Sequence, residues 1–148
     1  MLRDPSLIPL SHQHHNGLAL GVLTRRSLAA DGSPENVARQ AKRIVQRYEI
    51  ELANHFEIEE QVLFPACGDM PIIAELIAEH RTMEAMVAKL RTEPSRDTIE
   101  EFCDLLARHI RREEGELFEQ IQRELPREVL DGAGQEIDRR AVRACLLP

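Results

Sequence analysis

Histidines and glutamates spaced four residues apart are the first pattern in this chain that could do chemistry. His55 is followed by Glu59, His80 by Glu84 and His109 by Glu113, and three more histidines, His12, His14 and His15, crowd near the N-terminus. On a helix, positions i and i+4 lie one turn apart on one face, so an imidazole and a carboxylate so placed converge on a single point. Imidazole nitrogens and carboxylate oxygens without converging thiolates suit iron, manganese or zinc, and disfavour calcium, magnesium and copper(I). A lone pair of this kind is ordinarily a salt bridge on a solvated face. The phase of these pairs sets them apart.

The elements that must position them read as helices. Val37, Ala41, Ile44, Tyr48, Leu52, His55, Glu59, Val62 and Ala66 recur at steps of three or four, an unbroken inward stripe. Phe102, Leu106, His109, Glu113, Leu117, Ile121 and Leu125 repeat the pattern, and Ile73, Ile77, His80, Glu84, Val87 and Leu90 form a third stripe. An imidazole and a carboxylate inside an apolar stripe are unfavourable unless paired or metal-bound. Punctuation divides the chain into four helices: 10–30, then one opened by Ser33-Pro34 and stopped near Phe64, one from Pro71 to about Arg91, and one capped by Ser95 or Asp97 and closed by Pro126. No strand-like alternation occurs. The expected class is all-α, an antiparallel up-down-up-down four-helix bundle.

In that arrangement the end of the second helix meets the start of the third and the start of the first. At ~1.5 Å per residue, His55, Glu59 and His80 then lie within roughly 14 Å of one end, with His109 and Glu113 in the same half. Four helices therefore deliver donors to one neighbourhood. A structural zinc takes four ligands, whereas at least six donors are available here and two carboxylates can bridge. Two ions held between helices is the economical reading, with iron the redox-active choice and manganese or zinc compatible. Helical phase does not separate His14 from His15.

The ordered set resembles the hemerythrin-like, or HHE cation-binding, family. The segments that carry the resemblance are Ser11-His12-Gln13-His14-His15-Asn16-Gly17-Leu18, His55-Phe56-Glu57-Ile58-Glu59-Glu60, Glu79-His80-Arg81 and His109-Ile110-Arg111-Arg112-Glu113-Glu114. The ferritin-like order, Glu-x-x-His, is different. The resemblance implies a non-haem di-iron centre with Glu59 and Glu113 as bridges and His55, His80 and His109 as terminal ligands. In that family the first histidine is commonly followed three residues later by an apolar residue, which selects His15 through Leu18. The oxygen carriers of the family place another histidine one turn after the first in helix three, where this chain has Glu84. The implied function is binding or sensing of O2, NO or peroxide, or iron handling. A di-iron redox enzyme (a peroxidase or an iron-donating repair protein) and a non-catalytic interaction bundle are the alternatives.

Composition narrows the partners. With 19 Lys and Arg against 26 Asp and Glu, the net charge is −7, contrary to the basic stripe of a nucleic-acid binder. No apolar run spans a bilayer, and Met1–Leu10 does not read as a secretory signal. Cys67, Cys103 and Cys145 form no spaced pair, which points to a reducing, cytoplasmic setting and to buried filler roles. Gly17 and Gly21 are expected to let helices approach closely. Residues 1–126 are expected to form the bundle. Asp131-Gly132-Ala133-Gly134 should break the chain, leaving 127–148 as an extension able to form a short helix.

Overall fold

A computed structural model describes residues 2–144, and Cys145 lies outside them. The chain is all-α, and its described residues hold no strand and five helical rods, the fifth in the extension where the sequence allows a short helix. A 3-10 turn, Pro5–Leu7, leads into α1, Ile8–Ala30. α2 covers 34–66 as one rod interrupted by two π-turns, Tyr48–Leu52 and Glu59–Leu63. α3 is Ile72–Thr92, α4 covers 96–124 with a π-turn at Glu113–Leu117, and α5 is Arg127–Arg140.

The caps follow side-chain chemistry. Ser33 accepts the Asn36 N–H at 3.2 Å at the start of α2, and Ser95, not Asp97, accepts the Thr98 N–H at 3.2 Å at the start of α4. Each such cap contributes about 1 kcal/mol.

α1 packs on α2 and α4, and α3 packs on the same two rods. Along each of these four rods the titratable residues fall between two apolar layers. One layer holds Leu28, Ile44, Leu52, Phe56, Val87 and Leu106. The other holds Leu10, Ile58, Leu63, Leu76, Leu117 and Ile121. At Gly17 an added Cβ would lie 3.1 Å from Ile110 Cδ1, so the glycine serves the close approach of α1 and α4.

Two expectations about the stripes are corrected. Beyond Glu59 the buried residues are Leu63 and Phe64 of α2 and Cys67 just after it, while Val62 and Ala66 are only half-buried. The π-turn at Glu59–Leu63 inserts one residue per turn and advances the buried face by one position. In α3 the buried stripe is Leu76, His80, Met83, Val87 and Leu90. Glu84 therefore sits beside the stripe, where it pairs with Arg81 at 2.7 Å.

The C-terminal expectation also changes. Asp131-Gly132-Ala133-Gly134 does not break the chain; all four residues lie inside α5. Gly134 is required for proximity: an added Cβ would lie 2.8 Å from Ser6 Cα, where α5 crosses the Pro5–Leu7 turn. Leu130 and Ile137 of α5 are buried in the same apolar layer as Leu7 and Leu10. No helix among the described residues is long and apolar enough to cross a membrane.

Candidate metal centre

Four rods contribute to one buried polar cluster. His14 from α1, His55 and Glu59 from α2, His80 from α3, and His109 and Glu113 from α4 are each no more than 3% exposed. Two of the π-turns begin at the carboxylates themselves, Glu59 and Glu113. A π-turn widens the helix and re-aims the side chain that opens it, and such turns concentrate at functional sites. Phe56 stacks on the His80 ring at 4.0 Å between centroids, and Phe118 lies 5.4 Å from His14. Apolar rings thus hold the imidazoles in place.

The donor atoms form two sets that share both carboxylates. His14, His55, Glu59 and Glu113 make one set and Glu59, His80, His109 and Glu113 the other, with the ligand atoms of each within 4.8 Å of one another. Five of the six residues selected from sequence are brought together. His15 is not. It is exposed, and His14 takes the place in the cluster. The expectation of His15 rested on an apolar residue three positions on. His14 has Gly17 there instead, because α4 comes too close for a larger side chain. His12 is exposed.

Each imidazole turns Nε2 inward and is held through Nδ1, and the supports form a closed ring around the molecule. Glu114 of α4 receives His14 Nδ1 at 2.6 Å. Gln13 Oε1 of α1 receives His55 Nδ1 at 2.9 Å. Glu60 of α2 receives His80 Nδ1 at 2.7 Å, and Glu79 of α3 receives His109 Nδ1 at 2.8 Å. Every rod thus supports the histidine of the next. The three carboxylates are anchored in turn, Glu114 by Ser11 and Arg3, Glu60 by Arg81 and Glu79 by Arg112. An ionised carboxylate only accepts, so it fixes the hydrogen on Nδ1 and leaves the Nε2 lone pair free in the neutral ring. Such supports orient ligands and raise their basicity. Sequence reasoning missed all four. The available signal was an acid or amide directly beside a histidine or glutamate of the cluster: Gln13-His14, Glu59-Glu60, Glu79-His80 and Glu113-Glu114.

Protons balance the charges of the cluster unevenly. Burial pushes His14 down, but the Glu113 and Glu114 carboxylates outweigh it and raise its pKa to about 9. His109 rises against its burial through Glu113 and Glu79. Burial lowers His55 to about 4, aided by nearby His14, and lowers His80 to about 3. Glu59 is held well above the usual carboxylate range by burial and by the Glu113 carboxylate. Burial works the same way on Glu113, but the Glu59 carboxyl and the His109, His14 and His55 imidazoles around it hold it well below that range.

A pair of cations fits these residues. Nε2 of His80 and Nε2 of His109 face each other at 3.2 Å, a contact between lone pairs unless a proton or cation lies between them. His55 Nε2, both Glu59 oxygens and Glu113 Oε2 are buried without a hydrogen-bond partner. Buried polar atoms of native proteins are rarely left so, and each exception calls for an ion, a water or a functional cause. Among the described residues the thiols stay apart from the cluster; burial pushes Cys67 up to about 12 and Cys103 to about 11, leaving both inert.

No curated protein and no solved structure gives a match to this chain. A family does: the hemerythrin HHE cation binding domain matches residues 6–121, from the turn before α1 into α4. That span includes every member of the buried His/Glu cluster, and the chain belongs to the hemerythrin HHE cation-binding family.

Proposed function

We propose that this protein binds two metal ions, as a non-haem di-iron centre, in an antiparallel four-helix bundle to which α5 is appended. The proposed protein donors are His14, His55, His80 and His109, with Glu59 and Glu113 shared between the ions. The observation that carries the reading is the pair of donor sets joined through two buried carboxylates, three of whose four oxygens find no hydrogen-bond partner. When bound, the metal pair supplies Lewis-acid and redox chemistry toward a small ligand, which we take to be O2, NO or peroxide.

The chain's own residues have four tasks in this scheme. The supports on Nδ1 aim Nε2 inward in all four rings. Glu59 and Glu113 neutralise positive charge where no water reaches. Phe56, Phe64 and Phe118 wall the cluster with apolar surface and exclude bulk solvent. The Arg3, Arg81 and Arg112 guanidiniums hold the outer carboxylates in place. Glu84, paired with Arg81 outside the cluster, adds no donor. Each donor set would offer a bound ion two imidazoles and two shared carboxylates. The reading extends to a cytoplasmic protein without nucleic-acid or membrane partners, in keeping with the net charge of −7.

The test is anaerobic reconstitution with Fe(II) followed by exposure to O2 or NO, read by visible absorption. The reading expects new bands that require both iron and the cluster and that are lost in Glu113→Ala. Identical spectra for the reconstituted chain and that variant would reject it.

A further inference from the structure

Three of the four supporting groups are carboxylates, which only accept hydrogen bonds. The fourth, Gln13, is an amide with an accepting end and a donating end, so its orientation has to be set by something else. Two groups set it. Gln13 Nε2 donates to Asn54 Oδ1 at 2.9 Å and to the Val142 carbonyl at 3.2 Å, which uses both amide hydrogens and turns Oε1 toward His55 Nδ1 at 2.9 Å. The Val142 carbonyl belongs to the segment that follows α5. Asn54 ties the same segment down: its Oδ1 accepts the Val142 N–H at 3.0 Å and its Nδ2 donates to the Arg140 carbonyl at 3.0 Å. Asn16 Nδ2 donates to the Ala144 carbonyl at 2.9 Å.

We propose that Gln13 is a positioning residue oriented by the C-terminal segment, so that docking of residues 141–144 selects the His55 tautomer that leaves Nε2 free for a metal ion. With the segment docked, a flipped amide would point Oε1 at two oxygens, Asn54 Oδ1 and the Val142 carbonyl, and would lose both donations. The amide therefore accepts from His55, Nδ1 carries the hydrogen, and Nε2 is bare. With the segment away, one of the two constraints is gone and Asn54 is released to turn. The amide NH2 can then face Nδ1, which moves the ring hydrogen to Nε2 and blocks that donor. The His80 and His109 set has carboxylates on both rings and is indifferent to the segment.

The segment is built to leave. Ala141 packs half-buried against the apolar layer at the end of α5; beyond it Val142 and Arg143 are exposed and Ala144 is half-buried, so 142–144 are held by hydrogen bonds without a buried apolar anchor. Segments attached in this way open at the low end of the local stability scale. A crevice of about 300 Å³ lies between the segment and Gln13, Asn16 and Glu51, so the bonds that hold it are within reach of solvent. Because α5 itself is anchored by buried Leu130 and Ile137, the segment can detach without unfolding the helix.

The inference rests on the metal-binding reading, and the test separates the two. Ring-nitrogen NMR of the metal-free full chain at neutral pH should show His55 as the Nδ1–H tautomer. A chain ending at Arg140 should show Nε2–H character at His55, with His80 and His109 unchanged as internal controls. Cobalt(II) titration should find two equivalents in the full chain, one of them weakened about 10–100-fold in the shortened chain, the usual effect of losing an outer support. Gln13→Glu, which can only accept, should restore both the tautomer and the affinity in the shortened chain. Should the shortened chain not fold, Gln13→Leu in the full chain gives the same readouts. An Nε2–H tautomer in the full chain, or an unchanged tautomer and unchanged affinities after shortening, would overturn the proposal. A tautomer change without any cobalt uptake would uphold the positioning role and reject the metal reading.

Discussion

Glu59→Met should make the metal-free protein more stable while removing its capacity for metal. Glu59 is fully buried, neither of its oxygens has a hydrogen-bond partner, and it faces the Glu113 carboxylate. A buried polar group without a partner costs about 1–3 kcal/mol, and replacing buried ionic groups with packed apolar ones of similar volume can stabilise by about 1–4 kcal/mol. The opposing loss is small. His55 and His80 each lie 3.2 Å from Glu59, but burial lowers them to about 4 and about 3, so both are neutral near pH 7 and no unpaired cation is left behind. A net gain of about 2 kcal/mol should raise the melting temperature by about 4–8 °C for a chain near 150 residues. Urea denaturation of metal-free wild type and variant measures the gain. Added metal should then reverse the order: at 100 times Kd it stabilises wild type by about 2.7 kcal/mol and leaves the variant unchanged. A metal-free variant less stable than wild type by more than about 1 kcal/mol would refute the reasoning, as would a variant that still takes two ions.

Further outcomes follow from the same geometry. His14→Ala should lower the metal content of the purified chain and His15→Ala should not, because only His14 faces the cluster; equal effects in metal analysis would contradict the placement. Gly134→Ala should destabilise by about 1–3 kcal/mol, the usual effect of overpacking, since its Cβ would lie 2.8 Å from Ser6 Cα. Thermal melts should show that loss with metal stoichiometry intact. In the metal-free chain the His14, His55 and His80 contributions to stability should balance near pH 6.5. His14, raised from 6.5 to about 9, contributes stability that is full below 6.5 and lost as pH rises through 9. His55 and His80, lowered to about 4 and about 3, contribute stability that is full above 6.5 and lost as pH falls toward those values. Melting temperatures across pH 4–10 that rise or fall in one direction only would contradict this balance.

Much of the site was legible because its chemistry is written as departures from pattern. His55, Glu59, His109 and Glu113 stand where Leu is expected, and helical phase alone places them inside. What escaped depends on one-residue shifts and on contacts between rods. The π-turns at Glu59–Leu63 and Glu113–Leu117 have no signature in a 3.6-residue period, so the stripe beyond Glu59 was read one position early. His14 and His15 differ by 100° of helix rotation at the first turns of α1, where few apolar residues fix the phase. Met83 outranks Glu84 in α3 for a similar reason. Gly132 and Gly134 read as a break because propensity records the lost side chain and not the Ser6 backbone that excludes it. The ring of supports was invisible because each member serves a histidine on another rod, from 20 to 100 residues away in sequence.

Iron content per folded chain tests the central claim most directly. After anaerobic reconstitution and removal of loose metal, the two donor sets predict two irons per chain, falling in Glu59→Met and in Glu113→Ala. A folded chain that retains no iron, or one whose iron content is unchanged in both variants, would contradict the account.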